Sequence, residues 1–204
     1  MKKILALLLA TIMCVSMMVV ITPADDTYRE LRVGSNDVKA IGHFDTTCAF
    51  DANYNGYAMD LVFDYIIYKD PDTEDFASNV LTDWYWDEEL CGVVLQMRDD
   101  VYFSDGDQMT GEDIIYTITR MSQSFMNSDM KLIINIPGMY TSEDGLTVYI
   151  PFYNPYGPWR NYMAGNTAIH NKSFEEGIGL DKINFDDPAQ ICGRCPVRPT
   201  CSRR

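Results

Sequence analysis

The chain has 204 residues, of which 47% are hydrophobic and 12% aromatic, so it can form a packed core and is not a disordered chain. Its 30 acidic and 16 basic residues give a formal charge of −14. Phosphate binding needs clustered Lys and Arg, so this balance argues against nucleic acid as a partner. Acidity of this kind is typical of a soluble surface.

The first 24 residues have the pattern of a secretory signal peptide. Lys2 and Lys3 are followed by an apolar run over 4–21 and then by Thr-Pro-Ala. We therefore predict export, with cleavage after Ala24. The alternative is an uncleaved membrane anchor, since about 18 apolar residues can span a bilayer. The residues before Cys14 are not the small ones that a lipidation site requires, which makes a lipid anchor doubtful.

Strands and one helix are predicted in the first half of the mature chain. Residues 28–34 alternate in polarity and predict a strand. A helix is predicted over 57–65 and a short strand over 66–68. Residues 82–86 and 93–97 are β-prone segments joined by a polar link, which predicts an antiparallel hairpin.

A strand, a turn and a helix start follow one another closely after residue 100. We predict a strand over 101–103 and a turn at Asp105-Gly106, since Gly adopts positive φ without cost. Thr110 is a candidate helix N-cap, and Asp113 lies where a capping-box acid would. The acids here do not have EF-hand spacing, so no calcium site is predicted. An apolar stripe predicts the buried helix face: Ile114, Ile115, Ile118 and Met121.

A second hairpin and two helices complete the predicted elements. Residues 132–139 and 146–152 flank a Ser-Glu-Asp-Gly turn and predict the hairpin. Residues 156–162 begin a helix, and 171–176 form one or two helical turns. Strands and helices in this order predict a mixed α/β (α+β) fold rather than a run of βαβ units.

The sequence lacks the motifs of an enzyme. It has no glycine-rich phosphate loop and no nucleophile motif, and its two histidines, His43 and His170, are far apart. We therefore predict no catalytic site, no cofactor and no metal, and interpret both histidines as ordinary surface or hydrogen-bonded residues.

The last 13 residues, CGRCPVRPTCSRR, differ in composition from the rest. They hold four Arg and no acid, whereas residues 25–191 hold all 30 acids. Cys192 and Cys195 have metal-knuckle spacing, but a zinc site needs four ligands and no His follows. Removal of Cys14 with the signal leaves five cysteines, an odd number that does not favour a disulfide framework.

Several stretches together resemble the extracellular solute-binding proteins of family 5, the peptide- and nickel-binding receptors of ABC importers. The match covers about 31–191. FDT at 44–46 stands in place of Leu-Asp-Pro, VFDYII at 62–67 matches a family strand, and VLTDW at 80–84 matches Leu-Ala-x-x-Trp. The most specific match is VLQMRDDVYFSDG at 94–106, continued by GEDI. Departures from the family pattern are Thr46 for Pro and Gly111 for Ala.

The resemblance implies a fold and a function. It implies the N-terminal lobe portion of a type II periplasmic-binding-protein-like fold over 25–191, with the second lobe missing. The implied partners are a small peptide ligand and an ABC permease in the membrane, and the implied location is extracytoplasmic. In peptide-binding members the loop after the first strand lies along the ligand, and Asp51, Ala52 and Asn53 occupy that place here. A solvated loop is the alternative for these residues.

Where the family has a Gly-Thr-Gly-Pro-Tyr strand, this chain has the atypical segment 192–204. We interpret this segment as the product of a frameshift near Cys192, which would also account for a truncated receptor. The alternative functions are a secreted interaction domain without a transport role and a nonfunctional remnant.

Overall fold

The computed structural model describes residue 45 and residues 62–124, 127, 129–164, 167–185 and 187–193. All of them belong to the second of two compact units, which begins at Lys39. The strand predicted over 28–34 lies outside the described residues, as do residues 57–61 of the predicted helix and the predicted ligand contacts Asp51, Ala52 and Asn53. The helix predicted over 57–65 is wrong at its end, because residues 63–65 are not helical and Tyr65 forms a bridge with Ala168.

The described residues form six strands, four α-helices and two short 3₁₀ helices. The strands are β1 (Tyr68–Lys69), β2 (Phe76–Ala77), β3 (Leu81–Asp87), β4 (Gly92–Met97), β5 (Tyr140–Thr141) and β6 (Thr147–Pro151). The α-helices are α1 (Gly111–Gln123), α2 (Met130–Ile133), α3 (Trp159–Met163) and α4 (Lys172–Ile178). The 3₁₀ helices are Ile136–Gly138 and Pro188–Gln190.

A four-stranded antiparallel sheet, in the order β3-β4-β6-β5, forms the centre of this lobe. The predicted hairpin of β3 and β4 is confirmed, with Trp84 opposite Leu95 and Tyr85 opposite Val94. Strand β4 has neighbours on both sides, and its valines and leucine are buried. Valine is favoured in strands, where its branched side chain packs against neighbouring strands. The separate pair β1 and β2 is antiparallel as well.

Helix α1 begins where the sequence predicts. The Asp113 carboxylate accepts from the backbone N–H of Thr110 at 2.8 Å, and the Thr110 side chain accepts from the backbone N–H of Asp113, which completes the capping box. The carboxylate also accepts from the Thr110 hydroxyl at 3.2 Å. Ile114 and Ile118 are fully buried, and α1 contacts β5 and β6. The preceding Gly106 has φ of 97°, so the predicted turn at Asp105-Gly106 is also confirmed.

Two predicted strands are wrong. Residues 132–139 form no strand; most belong to α2 and to the 3₁₀ helix, with one antiparallel bridge between Ile134 and Phe152. Only Tyr140–Thr141 pairs with β6 as a strand. Strand β6 is already flanked by β4 and β5, and Pro137 has no N–H to give to a ladder. The segment 101–103 makes only an isolated bridge between Tyr102 and Gln108.

The remaining helices agree with the sequence. Helix α3 (Trp159–Met163) begins inside the predicted segment 156–162 and ends one residue beyond it. Helix α4 begins after Asn171, whose side chain accepts from the N–H of Phe174. The sheet, α1 and the shorter elements share one apolar core. Its fully buried members include Ile66, Ile67, Val80, Val93, Leu95, Met109, Ile114, Ile118, Ile134, Val148, Ile150, Met163 and Ile169.

Replacing Gly92 with Ala tests the close packing of β4 on β6. A Cβ at Gly92 would overlap the carbonyl oxygen of Ile150 and lie 2.8 Å from the Cα of Pro151, and backbone cannot move aside cheaply. We expect the free energy of unfolding to fall by about 1–3 kcal/mol in urea denaturation. Gly177→Ala is the matched control, because nothing lies within 4 Å of its Cβ. Ala favours the helix, so the control should gain up to about 1 kcal/mol. Equal effects at the two glycines would contradict this packing.

Candidate functional site

The described residue nearest in sequence to the predicted ligand contacts is Asp45, and it takes part in a buried ion pair. The Asp45 Oδ2 lies 2.9 Å from Nη2 of Arg120, which lies in the last turn of α1. Their side chains are only 14% and 10% exposed. An ion pair at this depth is shielded from solvent, unlike the weak pairs of protein surfaces.

Glu175 on α4 binds the other side of the same guanidinium. Its Oε2 lies 3.2 Å from Arg120 Nη1 and accepts from the Tyr116 hydroxyl at 2.7 Å. Its Oε1 lies 2.6 Å from Nδ1 of His170. The carboxylate therefore binds groups of α1 and of the segment that leads into α4. We call Asp45, Tyr116, Arg120, His170 and Glu175 the Arg120 network.

The proton of His170 is assigned from these distances. Nδ1 lies 2.6 Å from the Glu175 carboxylate and 3.1 Å from Arg120 Nη1, which can only donate. An ionised carboxylate can only accept, so we assign the proton to Nδ1, which donates to Glu175. The imidazole and the guanidinium then share Glu175 as their acceptor. The His170 ring is fully buried and lies 5.1 Å from the ring of Phe63, while Arg120 lies over Phe185 at 4.9 Å.

The network changes the acidity of its members. Burial by itself raises the pKa of the Glu175 carboxyl, but the hydrogen bond from His170 and the attraction of His170 and Arg120 bring it below its ordinary value of 4.5. Burial, followed by the hydrogen bond to Glu175, raises the pKa of Tyr116, which keeps its hydroxyl a donor. Glu175 is thus held as a carboxylate with donors arranged around it.

A second carboxylate joins the start of α1 to the start of α4. While Oδ2 of Asp113 caps α1, its Oδ1 accepts from the backbone N–H of Lys172 at 2.9 Å. Burial raises the pKa of Asp113, and the hydrogen bonds from Thr110 and Lys172 partly oppose that effect. The Lys172 ammonium lies 3.0 Å from Glu112, so α1 and α4 are joined at this end as well.

The first two residues of the atypical segment pack against the lobe. Cys192 is 5% exposed, and its Sγ lies 3.6 Å from Nδ2 of Asn171. The carbonyl of Gly193 accepts from the N–H of Ser104 at 3.0 Å, and a Cβ at Gly193 would overlap the carbonyl oxygen of Val62. Burial raises the pKa of the Cys192 thiol. Residues 194–204, which include the knuckle-spaced Cys195, lie outside the described residues.

Open polar clefts lie on the surface of the lobe. One, of about 360 Å³, is bordered by Asp107, Glu112, Lys172, Ser173 and Glu176. Another, of about 410 Å³, is bordered by Thr82, Met97, Arg98, Asp99, Asp100 and Leu146. Ser173 and Lys172 in the first cleft already bind Asp107 and Glu112. Both clefts are lined mainly by charged and polar groups, unlike the apolar pockets that enclose small molecules.

The titratable groups of the described residues are mostly engaged with one another. Within residues 45, 62–124, 127, 129–164, 167–185 and 187–193, no cluster of His, Cys, Asp or Glu has the arrangement of a metal site. The His170–Glu175 pair is buried within the Arg120 network rather than open to a substrate. Among the described helices, none has the length and apolar character needed to cross a bilayer.

The Arg120 network does not follow from the sequence. The structure confirms that His170 is buried and hydrogen-bonded, but no sequence pattern identifies its partner Glu175. Arg120 lies away from the apolar stripe of α1, four residues after Tyr116 and on the same side of the helix. This spacing was the one local signal of the network.

Comparison with known proteins gives a fold but no sequence family. No protein-family model matches the chain, and no characterised protein matches its sequence. Solved structures match well. HbpA2 from Haemophilus parasuis has a TM-score of 0.63 at 16% identity, over 78% of this chain and 35% of its own.

Two further matching structures are complexes with a ligand. A dipeptide binding protein from Pseudoalteromonas sp. SM9913 in complex with Met-Leu has a TM-score of 0.61 at 16% identity, over 76% of this chain and 34% of its own. NikZ from Campylobacter jejuni in complex with Ni(L-His) has a TM-score of 0.61 at 18% identity, over 78% and 30%.

These likenesses define the class of fold. The described lobe has the mixed α/β fold found in one part of the substrate-binding proteins of ABC transporters, and the predicted fold class is confirmed. The chain spans about a third of the length of the solved structures that it matches.

The Glu175→Gln variant tests the Arg120 network by its pH dependence. Since the pKa of Glu175 is lowered on folding, its carboxylate stabilises the protein above pH 4.5, and this stabilisation is lost as the pH falls through the lower folded value. At pH 7 we expect the variant to lose about 3 kcal/mol of unfolding free energy in urea. The difference from the unmodified protein should shrink below pH 4.5.

The matched control is Glu176→Gln, which changes the exposed neighbour on α4 in the same way. It should unfold like the unmodified protein at both pH 7 and pH 3. A Glu175→Gln difference that stays constant with pH would contradict the ionised state assigned to Glu175.

Proposed function

We propose that this chain is an extracytoplasmic binding component of an ABC importer, and that its ligand is a small peptide. The observation that carries the proposal is the likeness of the fold, over about three quarters of the chain, to substrate-binding proteins. Two more of the matching structures are described as bound to peptide, one from Listeria monocytogenes and one from Helicobacter pylori. The signal-like residues 1–24 support export of the chain.

The proposed ligand contacts are Asp51, Ala52 and Asn53. In this proposal their backbone groups bind the peptide main chain, as when an extended peptide adds to a strand. Main-chain hydrogen bonds do not depend on the side chains of the ligand, so the site would accept peptides of varied sequence. The permease would be the membrane partner that receives the ligand.

A secreted interaction domain is the second candidate, and one surface favours it. A row of side chains crosses the four strands on one face of the sheet: Tyr85, Val94, Tyr149 and Tyr140. The neighbouring residues Val93 and Leu95 of β4 point to the other, buried face. Tyr85 is 39% and Tyr140 50% exposed, and the Tyr140 and Tyr149 rings stack at 4.5 Å. Tyrosine is enriched in protein interfaces.

Thermal unfolding of the purified full chain with peptides tests the first candidate. The probes are Met-Leu and the tetrapeptide Ser-Thr-Ser-Ala, with free Met and Leu as the matched control. A ligand at 100 times its dissociation constant adds about 2.7 kcal/mol to the unfolding free energy, so the midpoint should rise by several degrees. A midpoint indifferent to both peptides, with no heat of binding in calorimetry, would contradict the proposal and favour the second candidate.

The pair of variants Ala52→Pro and Ala52→Ser tests the main-chain contacts. Proline removes the N–H that the proposal assigns to the ligand, whereas serine keeps it. We expect Ala52→Pro to weaken binding of Met-Leu by about tenfold, the effect of losing one buried hydrogen bond. Ala52→Ser should bind within about twofold of the unmodified protein, a change too small to reflect a lost hydrogen bond. Equal affinities for the two variants would rule out this contact.

A further inference from the structure

The face of the four-stranded sheet that carries the tyrosine row has acids but no basic residue. We call it the outer face, and the strand register defines its members, which alternate with the positions that point into the core. Besides the row itself they are Asp83, Asp87, Gly92, Gln96, Thr147 and Pro151. No Lys or Arg is among them, so the charge of this face is negative.

The tyrosine rings lie at the surface of the outer face. Tyr85 is 39% and Tyr140 50% exposed, whereas Val94 between the rows of rings is only 2% exposed. The rings of Tyr140 and Tyr149 stack at 4.5 Å with 11° between their planes, so each has a second side directed away from the other. The face of an aromatic ring is its negative side and attracts cations.

Acids flank Tyr85 along β3. Asp83 and Asp87 lie two residues before and after it and on the same face, and the exposed Glu88–Glu89 turn follows. Asp83 accepts from the backbone N–H of the next residue and Asp87 from that of Leu90, each at 2.8 Å. Within the part of the chain that the structure describes, no Lys or Arg forms an ion pair with these carboxylates. Their negative charge is therefore not compensated.

The first basic residue after β4 is already paired. The guanidinium of Arg98 binds Asp100 through two bonds, with Nε–Oδ1 at 2.8 Å and Nη2–Oδ2 at 2.7 Å. A side chain held in this way does not neutralise Asp83 or Asp87. The cation that complements the outer face must then come from a partner.

Charge also decides between the possible occupants of this face. The chain has a formal charge of −14, so a second copy would bring like charges together, which opposes association. A neutral glycan can stack on tyrosine rings but leaves Asp83 and Asp87 without partners. A basic segment satisfies both the rings and the acids.

We propose that the outer face of the sheet is a docking surface for a basic segment of another protein, whose Arg or Lys side chains lie against Tyr85 and pair with Asp83 and Asp87. Arginine suits both contacts, because its guanidinium stacks on aromatic rings and pairs with carboxylates. This inference rests on the second candidate function, the secreted interaction domain. It does not depend on peptide capture by an importer component.

The experiment measures the affinity of the full-length protein for a labelled hexapeptide of alternating Gly and Arg, by fluorescence anisotropy at pH 7. The matched probe replaces each Arg with citrulline, which has nearly the same shape and no charge. We expect the arginine peptide to bind at least about tenfold more tightly and to lose affinity as salt is added. An excess of Met-Leu should not displace it. Displacement would place the peptide in the ligand site of the importer proposal and overturn the docking surface.

Variants locate the binding on the outer face. Tyr85→Leu removes the ring but keeps apolar bulk and should weaken binding about three- to fivefold, whereas Tyr85→Phe keeps the ring and should bind within about twofold. Asp83→Asn combined with Asp87→Asn should weaken binding by a similar factor and reduce its salt dependence. These two changes lie at the surface, so they test the proposal even if Tyr85→Leu is unstable.

The matched controls are Tyr102→Leu and Asp75→Asn, which lie outside the four-stranded sheet. Tyr102 is 52% exposed, and Asp75 is exposed as well. Both variants should bind the arginine peptide as the unmodified protein does. Losses equal to those at Tyr85 and Asp83 would mean a general attraction to an acidic protein and would overturn the proposal.

Other outcomes assign the outer face to another occupant. Self-association of the unmodified protein in sedimentation, abolished by Tyr85→Leu, would assign it to a second copy. Binding of cellohexaose that depends on Tyr85 but not on Asp83 would assign it to a glycan. Binding of the arginine peptide that appears only after the four Arg of 192–204 are changed to Gln would assign it to the chain's own basic segment. Each result would keep an interaction surface and overturn a basic partner protein, and absence of all binding would overturn both.

Discussion

The lobe depends on one buried cation, Arg120, held between the carboxylates of Asp45 and Glu175. Charges at this depth are costly unless hydrogen bonds replace the lost water, and here Tyr116 and His170 supply them. The opposite face of the same helix carries Ile114 and Ile118 into the core. Helix α1 therefore packs against the sheet on one side and carries Arg120 on the other. A shift of this helix would disturb both the apolar core and the ion pairs.

The sequence predicts the local parts of this arrangement and misses the distant ones. The β3–β4 hairpin and the start of α1 follow from patterns a few residues long, and both are confirmed. The strand prediction for 132–139 is wrong because a short apolar run is compatible with either a strand or a helix. The sequence does not show that both edges of β6 are already paired, with β4 and β5. The network joins residues 55 and 75 positions apart, a separation that no local pattern encodes.

The functional proposal rests on the likeness of the fold. The mixed α/β lobe matches part of several solved substrate-binding proteins. The tyrosine row on the outer face of the sheet offers a separate surface for a protein partner.

The most direct test of this account is the coupling free energy between Arg120 and Glu175. Unfolding in urea at pH 7 would be measured for Arg120→Met, Glu175→Gln and the double variant. Because the two charges are buried and bind each other, the account predicts a coupling of about 2 kcal/mol, with the double variant more stable than the sum of the single losses implies. Additive losses, with a coupling near zero, would mean that Arg120 and Glu175 act independently and would contradict the network as the organising feature of the lobe.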